Sequence, residues 1–480
     1  MFNFLKPKGH NRKLMVIGLD CAAPDLVFHK YKDELPTLRQ LYSTSVYGEL
    51  ESCIPAITVP AWASMMSSKD PGTLGVYGFR NRSDYTYDNQ HIATGNYIKE
   101  KRVWDILGEA GKQVVLVGVP QTFPVKPVNG VCITDFLTPS LESGFTYPAD
   151  LSEKVLSLAP RYQVDVKNFR TPDKDWLLQQ IWDMTEMRFE VLNHLQQNQP
   201  WDYFMWVEMG VDRMHHGMWS FMDPGHRRYE AGNKYENSIR DYYKLIDAQL
   251  AKMLARLDDD TIVLVVSDHG GKKMEGGVCT NEWLWRNGYL FFEEDPPEDV
   301  FDENGKRMLT PFAKLEPDWS RTIAWGDGGY YGRVYLNVEG REPHGIVKRE
   351  DAERIRDELI ERFQALPGPD GKPLGTVCYK PQEIYHKVRN VPPDIIVYWG
   401  DLDWRAVGSL GHGGYFTFEN DTGPDDANHA RNGLFILHDP AAKGDCREVK
   451  GRQLMDVAPT LLELMGVSAP ADMQGKRLID

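Results

Sequence analysis

The sequence predicts an α/β fold built on a mostly parallel sheet. Two observations carry that prediction. Short apolar runs alternate along the chain with segments of helical periodicity, as in repeated strand–helix units. Several of these runs are apolar at nearly every position, which suits strands covered on both faces.

The strands are expected at 13–19, 113–119, 202–208, 261–267, 333–338, 394–398 and 433–437. A short helix is expected at 61–67. A longer one spans 234–257, where Tyr242, Leu245, Ile246, Leu250, Met253, Leu254 and Leu257 recur at helical spacing. Segments 349–366 and 453–465 also read as helices. Three stretches break the alternation, at about 80–100, 136–200 and 291–332. The first is rich in Tyr and Asn, the second is rich in Pro, Ser and Thr over 136–175, and the third holds an acidic run at 291–304. They are read as insertions around one domain covering 1–480, with the acidic run a solvated loop.

The 480 residues are long enough to bury a large core, and 41% hydrophobic with 26% charged residues is ordinary for a globular chain. The net charge of −15 argues against nucleic-acid binding, which needs Lys and Arg. It leaves room for a small phosphate-bearing substrate held by metal ions, which bring positive charge without basic side chains. No run of about 18 apolar residues predicts a membrane span. Residues 1–8 lack the apolar core of a signal peptide. The six cysteines at 21, 53, 132, 279, 378 and 446 form no CxxC pair, so reduced thiols and a cytoplasmic location are expected.

Ligands of open α/β sheets bind beyond the carboxyl ends of the strands, so the residues that follow each strand are the candidates. Strand 13–19 runs into Asp20. Strand 261–267 runs into Asp268-His269-Gly270-Gly271, an oxygen and a nitrogen donor on a tight turn, suited to Zn²⁺ or a similar ion. Strand 202–208 is followed by Asp212-Arg213-Met214-His215-His216. Asp212 and His216 are one helical turn apart and share a face, with His215 as the competing ligand. Thr58 lies in Pro55-Ala56-Ile57-Thr58-Val59-Pro60, ahead of helix 61–67, where free N–H groups favour an anion. A Thr hydroxyl there attacks only if a base or a metal activates it. His429 precedes strand 433–437 and is a further candidate ligand. Each residue taken alone also fits a cap, a turn or a core position.

Taken in order, these residues resemble the alkaline phosphatase superfamily. The likeness is to its type I phosphodiesterase/nucleotide pyrophosphatase branch and to predicted phosphohydrolase/phosphomutase proteins. It is carried by 14–20, 55–79, 201–219, 265–284 and 429–480, and is least specific over 290–425. The resemblance implies a three-layer sandwich and a site for two divalent ions, Zn²⁺ foremost and Mn²⁺ as the alternative. Asp20, Thr58, Asp268 and His269 would surround one ion, and Asp212, His216 and His429 the other. Thr58 would attack phosphorus and form a phospho-threonine intermediate.

The sequence departs from the family at Ala61. Nucleotide pyrophosphatases carry there, three residues after the nucleophile, an Asn that binds a phosphate oxygen. Lys272 and Lys273 are candidate substitutes, and His412 is a candidate ligand or substrate contact ranked below His429. With no evident Arg clamp for a dianion, a diester or pyrophosphate substrate is expected. A phosphomonoesterase or phosphomutase is the alternative, and a non-catalytic metal-binding protein a second one. A sulfatase is set aside, because no C/S-x-P-x-R motif surrounds Thr58. Tyr85, Tyr87, Trp325, Tyr330 and Tyr331 in the insertions could stack on a base or sugar, or simply pack locally.

Overall fold

The computed structural model describes residues 12–479 apart from 298, 299, 304, 306 and 443–445. The stretch 1–8, read for a signal peptide, and part of the acidic run at 291–304 fall outside the described residues. The chain divides into two compact units. One consists of residues up to Phe79, Ala93–Lys272 and the chain from His429 on. The other consists of Arg80–Ile92 and Lys273–Asn428.

The first unit is built on a ten-stranded sheet. Its centre is five parallel strands in the order Ile262–Val266, Leu14–Leu19, Tyr203–Glu208, Val114–Val117 and Gly130–Ile133. Beside Ile262–Val266 lies the antiparallel strand Asn432–His438, which pairs in turn with Val46–Glu51. Every residue of Leu14–Leu19, Tyr203–Glu208 and Ile262–Val266 is buried. That burial explains why these runs are apolar throughout rather than alternating.

Side chains alternate between the two faces of the sheet. Leu14, Val16, Met205, Val207, Leu264 and Val266 pack with Trp62 and Met65 of helix Thr58–Ser67, Leu107 of Val103–Glu109 and Leu461 of Val457–Leu464. On the opposite face, Trp206 meets Phe189 of helix Lys174–Asn198 edge to face at 5.1 Å. Helices therefore cover both faces, giving three layers. The helix expected at 234–257 runs over Ser238–Leu254. The 25-residue helix Lys174–Asn198 lies within a segment whose sequence suggested an insertion, and it starts at Asp173, whose side chain accepts from the Trp176 amide.

The second unit has its own core, with Trp283, Leu336, Phe363, Val397 and Trp399 buried together. Its four-stranded sheet runs Ala324–Asp327, Gly332–Leu336, Ile395–Tyr398, Val377–Tyr379, and every pairing is antiparallel. The strands expected at 333–338 and 394–398 thus belong to this sheet and not to the parallel one. The short connection from Asp327 to Gly332 allows only antiparallel pairing, since a parallel crossover needs a dozen or so residues. The insertion aromatics pack here. Tyr87 stacks on Trp319 at 3.6 Å with Trp325 against its edge at 5.4 Å, and the Tyr330 hydroxyl donates to Asp425.

Candidate active site

The register of the central strands brings the sequence-derived residues to one edge of the sheet. Leu19 lies opposite Glu208, and Gly18 opposite Val266. Asp20, the start of helix Gly210–Met222 and Asp268-His269 therefore leave the sheet at the same level. The antiparallel strand Asn432–His438 begins at this end, so His429 arrives from the opposite chain direction. Val46–Glu51 ends here too, and the chain beyond it leads to Thr58. The Ser52 hydroxyl donates to the Asp268 carbonyl at 2.7 Å and ties that lead-in to the site. All seven residues lie in the first unit.

Asp20 is fully buried, and its Oδ2 accepts from the Trp62 indole N–H at 2.7 Å. The indole reaches it because residue 18 is Gly. A Cβ there would stand 2.6 Å from the Trp62 ring and 2.7 Å from Val207. The next residue, Cys21, turns the chain at φ 64° and donates its amide to Asp268 Oδ1 at 3.2 Å. Thr58 is the first residue of its helix rather than a residue ahead of it, since the helix spans Thr58–Ser67. Its Oγ1 lies 3.5 Å from Asp20 Oδ1 and 3.4 Å from His269 Nε2. The amides at such a helix start have no acceptor within the helix.

Two histidine tautomers follow from their partners. A carbonyl oxygen only accepts, so His429 Nδ1 donates to Ala56 O at 2.9 Å and His269 Nδ1 donates to Gly270 O at 3.1 Å. Both Nε2 atoms then present lone pairs inward. The two rings stack at 3.8 Å. His216 Nε2 is 3.2 Å from His429 Nε2 and 3.3 Å from Asp212 Oδ1. Asp268 Oδ2 is 3.2 Å from His269 Nε2. Asp212 Oδ1 and Asp268 Oδ2 are buried without a hydrogen-bond partner.

Candidate ligand atoms converge in two groups, Asp20–Asp268–His269 and Asp212–His269–His429, each with its atoms within 4.8 Å of one another. His269 belongs to both, whereas the resemblance groups it with Asp20, Thr58 and Asp268 and not with Asp212 and His429. Lone pairs and orphaned carboxylate oxygens facing one another in a buried space are a donor set for cations, and the oxygen and imidazole mixture suits Zn²⁺ or Mn²⁺.

The electrostatics agree. Burial, together with Asp268 and Asp212, pushes the Asp20 carboxyl well up, and burial does the same to Asp268. Burial also works to raise Asp212, but His216, Arg213 and His429 outweigh it and hold its carboxyl well below the usual range. Burial pushes His429 and His269 down, so both rings stay neutral and can ligate.

Other residues fall elsewhere. His215 turns away from the group, with its Nε2 3.2 Å from the Tyr243 hydroxyl and its ring edge to face with Trp219 at 5.1 Å. Gly271 leaves room for it, since a Cβ there would come within 2.5 Å of His215 Nδ1. His412 belongs to the second unit, 3.0 Å from the Ser409 hydroxyl. Lys273 pairs with Glu275.

Three residues escaped the sequence reading. Trp62 could have been found, because it sits one helical turn after Thr58 on the same face. Arg213 adjoins Asp212 and donates to its Oδ2 at 2.6 Å. Asp165, 48 residues earlier, binds Arg213 Nε and Nη2 at 2.9 and 2.6 Å, a pairing with no local signal.

By overall structure the chain is similar to phosphonoacetate hydrolase from Sinorhizobium meliloti, solved with phosphonoacetate, at TM-score 0.57 and 14% identity over 93% of this chain and 94% of that one. It is similar to human ectonucleotide pyrophosphatase/phosphodiesterase 5 at TM-score 0.53 and 11% identity over 96% of each chain. In sequence it is 39% identical over 75 residues to 2,3-bisphosphoglycerate-independent phosphoglycerate mutase 2 of Methanosarcina acetivorans. That match takes in 15% of this chain and 14% of the mutase. A second such mutase, from Bacteroides thetaiotaomicron, is 36% identical over 89 residues, 17% of its length, so the chain spans less than a fifth of either curated relative. The model of the type I phosphodiesterase/nucleotide pyrophosphatase family matches residues 14–425. With that match over most of its length, the chain belongs to the type I phosphodiesterase/nucleotide pyrophosphatase family.

Proposed function

We propose that the protein cleaves a phosphodiester or pyrophosphate bond in a small molecule, with Thr58 as nucleophile and with two divalent cations bound by the clustered ligands. The observation that carries the proposal is the position of Thr58 Oγ1, 3.5 Å from Asp20 and 3.4 Å from His269, at the start of a buried helix. Asp20, Thr58, Asp268 and His269 would hold one ion, and Asp212, His216 and His429 the other. When bound, such ions lower the pKa of a coordinated hydroxyl and neutralise charge gathering on phosphorus.

The chain's own residues do the rest. Trp62 and the Cys21 amide fix Asp20 and Asp268. The Ala56 and Gly270 carbonyls keep the inward nitrogens of His429 and His269 free of protons. In the first helical turn Pro60 has no N–H and the Ala61 amide donates to Ile57 O at 3.0 Å, so the Thr58 and Val59 amides are the ones that a non-bridging phosphate oxygen beside Thr58 would meet. They offer the contact that Ala61 cannot make. Thr58 Oγ1 would bond to phosphorus as one ester or anhydride oxygen leaves and takes up a proton in place of the one Thr58 loses, and water would then break the Thr58–phosphorus bond, restoring the hydroxyl and releasing the phosphate monoester with net retention at phosphorus. We take the chain as one catalytic domain that carries Arg80–Ile92 and Lys273–Asn428 as insertions.

A phosphomutase is the second reading, favoured by the local identity to two phosphoglycerate mutases. Initial rates on bis(4-nitrophenyl) phosphate and 4-nitrophenyl phosphate, measured side by side with Zn²⁺ or Mn²⁺, separate the two. Preference for the diester supports the proposal. Preference for the monoester, or phosphate return to an added acceptor without net hydrolysis, overturns it in favour of the phosphatase or mutase. Thr58→Ala is expected to lose about 10³-fold or more in turnover and to keep its metal. Turnover at the wild-type rate would remove Thr58 as the nucleophile.

A further inference from the structure

Asp212 presents its two carboxylate oxygens differently. Oδ1 is buried without a hydrogen bond and faces His216 Nε2 at 3.3 Å and His429 Nε2 at 3.9 Å. Oδ2 accepts from Arg213 Nη1 at 2.6 Å. Arg213 is itself locked, since Asp165 takes its Nε and Nη2 in a bidentate pair at 2.9 and 2.6 Å. Its guanidinium also lies over the Phe169 ring at 4.7 Å, and that ring is 6.0 Å from the His216 ring.

The loop that supplies Asp165 and Phe169 is anchored in turn. Arg188 of helix Lys174–Asn198 is buried and donates to Val164 O at 3.0 Å and to Val207 O at 2.9 Å. Its Nη1 also lies 3.7 Å from the buried Glu208, whose Oε1 accepts from the Gly210 amide at 2.9 Å. Gly210 opens the helix that carries Asp212 and His216. One buried arginine thus holds both the loop behind Arg213 and the strand end before Asp212.

We propose that Arg213, fixed by Asp165, is a positioning residue that reserves Asp212 Oδ1 for one of the two ions. A carboxylate with both oxygens free can rotate or bridge. With Oδ2 held by Nη1 of a guanidinium whose Nε–Nη2 edge Asp165 grips, only Oδ1 is left, on the side where the two imidazole nitrogens converge. A Lys at 213 could keep one contact but not the fork. The inference rests on Asp212, His216 and His429 holding an ion, as proposed above.

The test is isothermal titration of metal-stripped protein with Mn²⁺ and, separately, with Zn²⁺, alongside thermal unfolding of the same stripped samples. The variants are Asp165→Asn, Arg213→Lys and the double variant. Asp165 is partly exposed, so Asp165→Asn is expected to fold. The expected result is two sites in the wild type, with one weakened 10–100-fold in Asp165→Asn and Arg213→Lys and the other unchanged. The double variant should be no weaker than the worse single one, because Asp165 acts through Arg213.

A purely structural role would lower the unfolding temperature of the stripped variants and leave both affinities within twofold of wild type. That result overturns the proposal, as does equal weakening of both sites. If the wild type binds no ion, the failure lies in the proposed function and not in this inference.

Discussion

Asp268→Asn should raise the stability of the metal-stripped protein and lower that of the metal-loaded protein, an inversion that an ordinary core substitution does not produce. Ligand oxygens of Asp20 and Asp268 lie within 4.8 Å in a fully buried group. At an effective dielectric constant of about 20, two charges at that separation repel by about 3.5 kcal/mol. Burial and this repulsion push the Asp20 carboxyl up, burial with Asp212 pushes Asp268 up, and protonation relieves part of the cost, so the net penalty removed is roughly 1–3 kcal/mol.

The amide fits where the carboxylate stood. Asn Oδ1 keeps the Cys21 amide bond, 3.2 Å in the native protein. Asn Nδ2 takes the place of Oδ2, 3.2 Å from the bare His269 Nε2, and donates to it. With ions present the order reverses, because losing one ion bound at a thousand times its dissociation constant costs about 4 kcal/mol. The assay is thermal unfolding at neutral pH of both proteins, stripped and loaded, where 1 kcal/mol moves the midpoint by about 1 °C in a chain of 480 residues. A stripped Asp268→Asn protein that unfolds at or below the stripped wild type refutes the electrostatic reasoning. A variant that gains as much from metal as wild type refutes Asp268 as a ligand.

Three further outcomes are expected. His216→Ala should lower bound metal by about one ion per chain, read by elemental analysis after dialysis, with the Asp20 group still loaded. Gly271→Ala should cost roughly 1–3 kcal/mol, read by denaturant unfolding, because its Cβ would stand 2.5 Å from His215 Nδ1 and 3.1 Å from Cys21 Sγ. Burial pushes His215 down to about 3, so the folded protein keeps it neutral while the unfolded chain protonates it below about pH 6.5. Its contribution is present above that pH and is lost as pH falls toward 3. His215→Gln should flatten the stability profile there by about 1.4 kcal/mol per pH unit, and an unchanged slope would count against the assignment.

The phosphodiesterase family and the α/β class were legible in the sequence because both rest on local signals. Fully buried strands read as unbroken apolar runs, and the chemistry follows directly after them. Asp20, Asp268 and His269 each lie within three residues of a strand end, so the rule that ligands gather at carboxyl ends was enough to find them. Asp212 and His216 carry their own helical spacing. The strands near 333 and 394 were legible as strands but not as members of a second sheet. A strand's composition records its burial and not its partner.

The sequence alone determined which residue types follow which strands, and with them the family and the ligand candidates. Only the tertiary structure decided how they are used. It turned His215 toward Tyr243 and His216 toward His429, a choice set by packing around the helix they share. It placed His269 between two groups of ligand atoms instead of one. It joined Asp165 to Arg213 across 48 residues, and Arg188 to Val164 and Val207. Those pairings join segments that are far apart in the chain, and hydrogen bonds between distant segments leave no periodicity in the sequence to read.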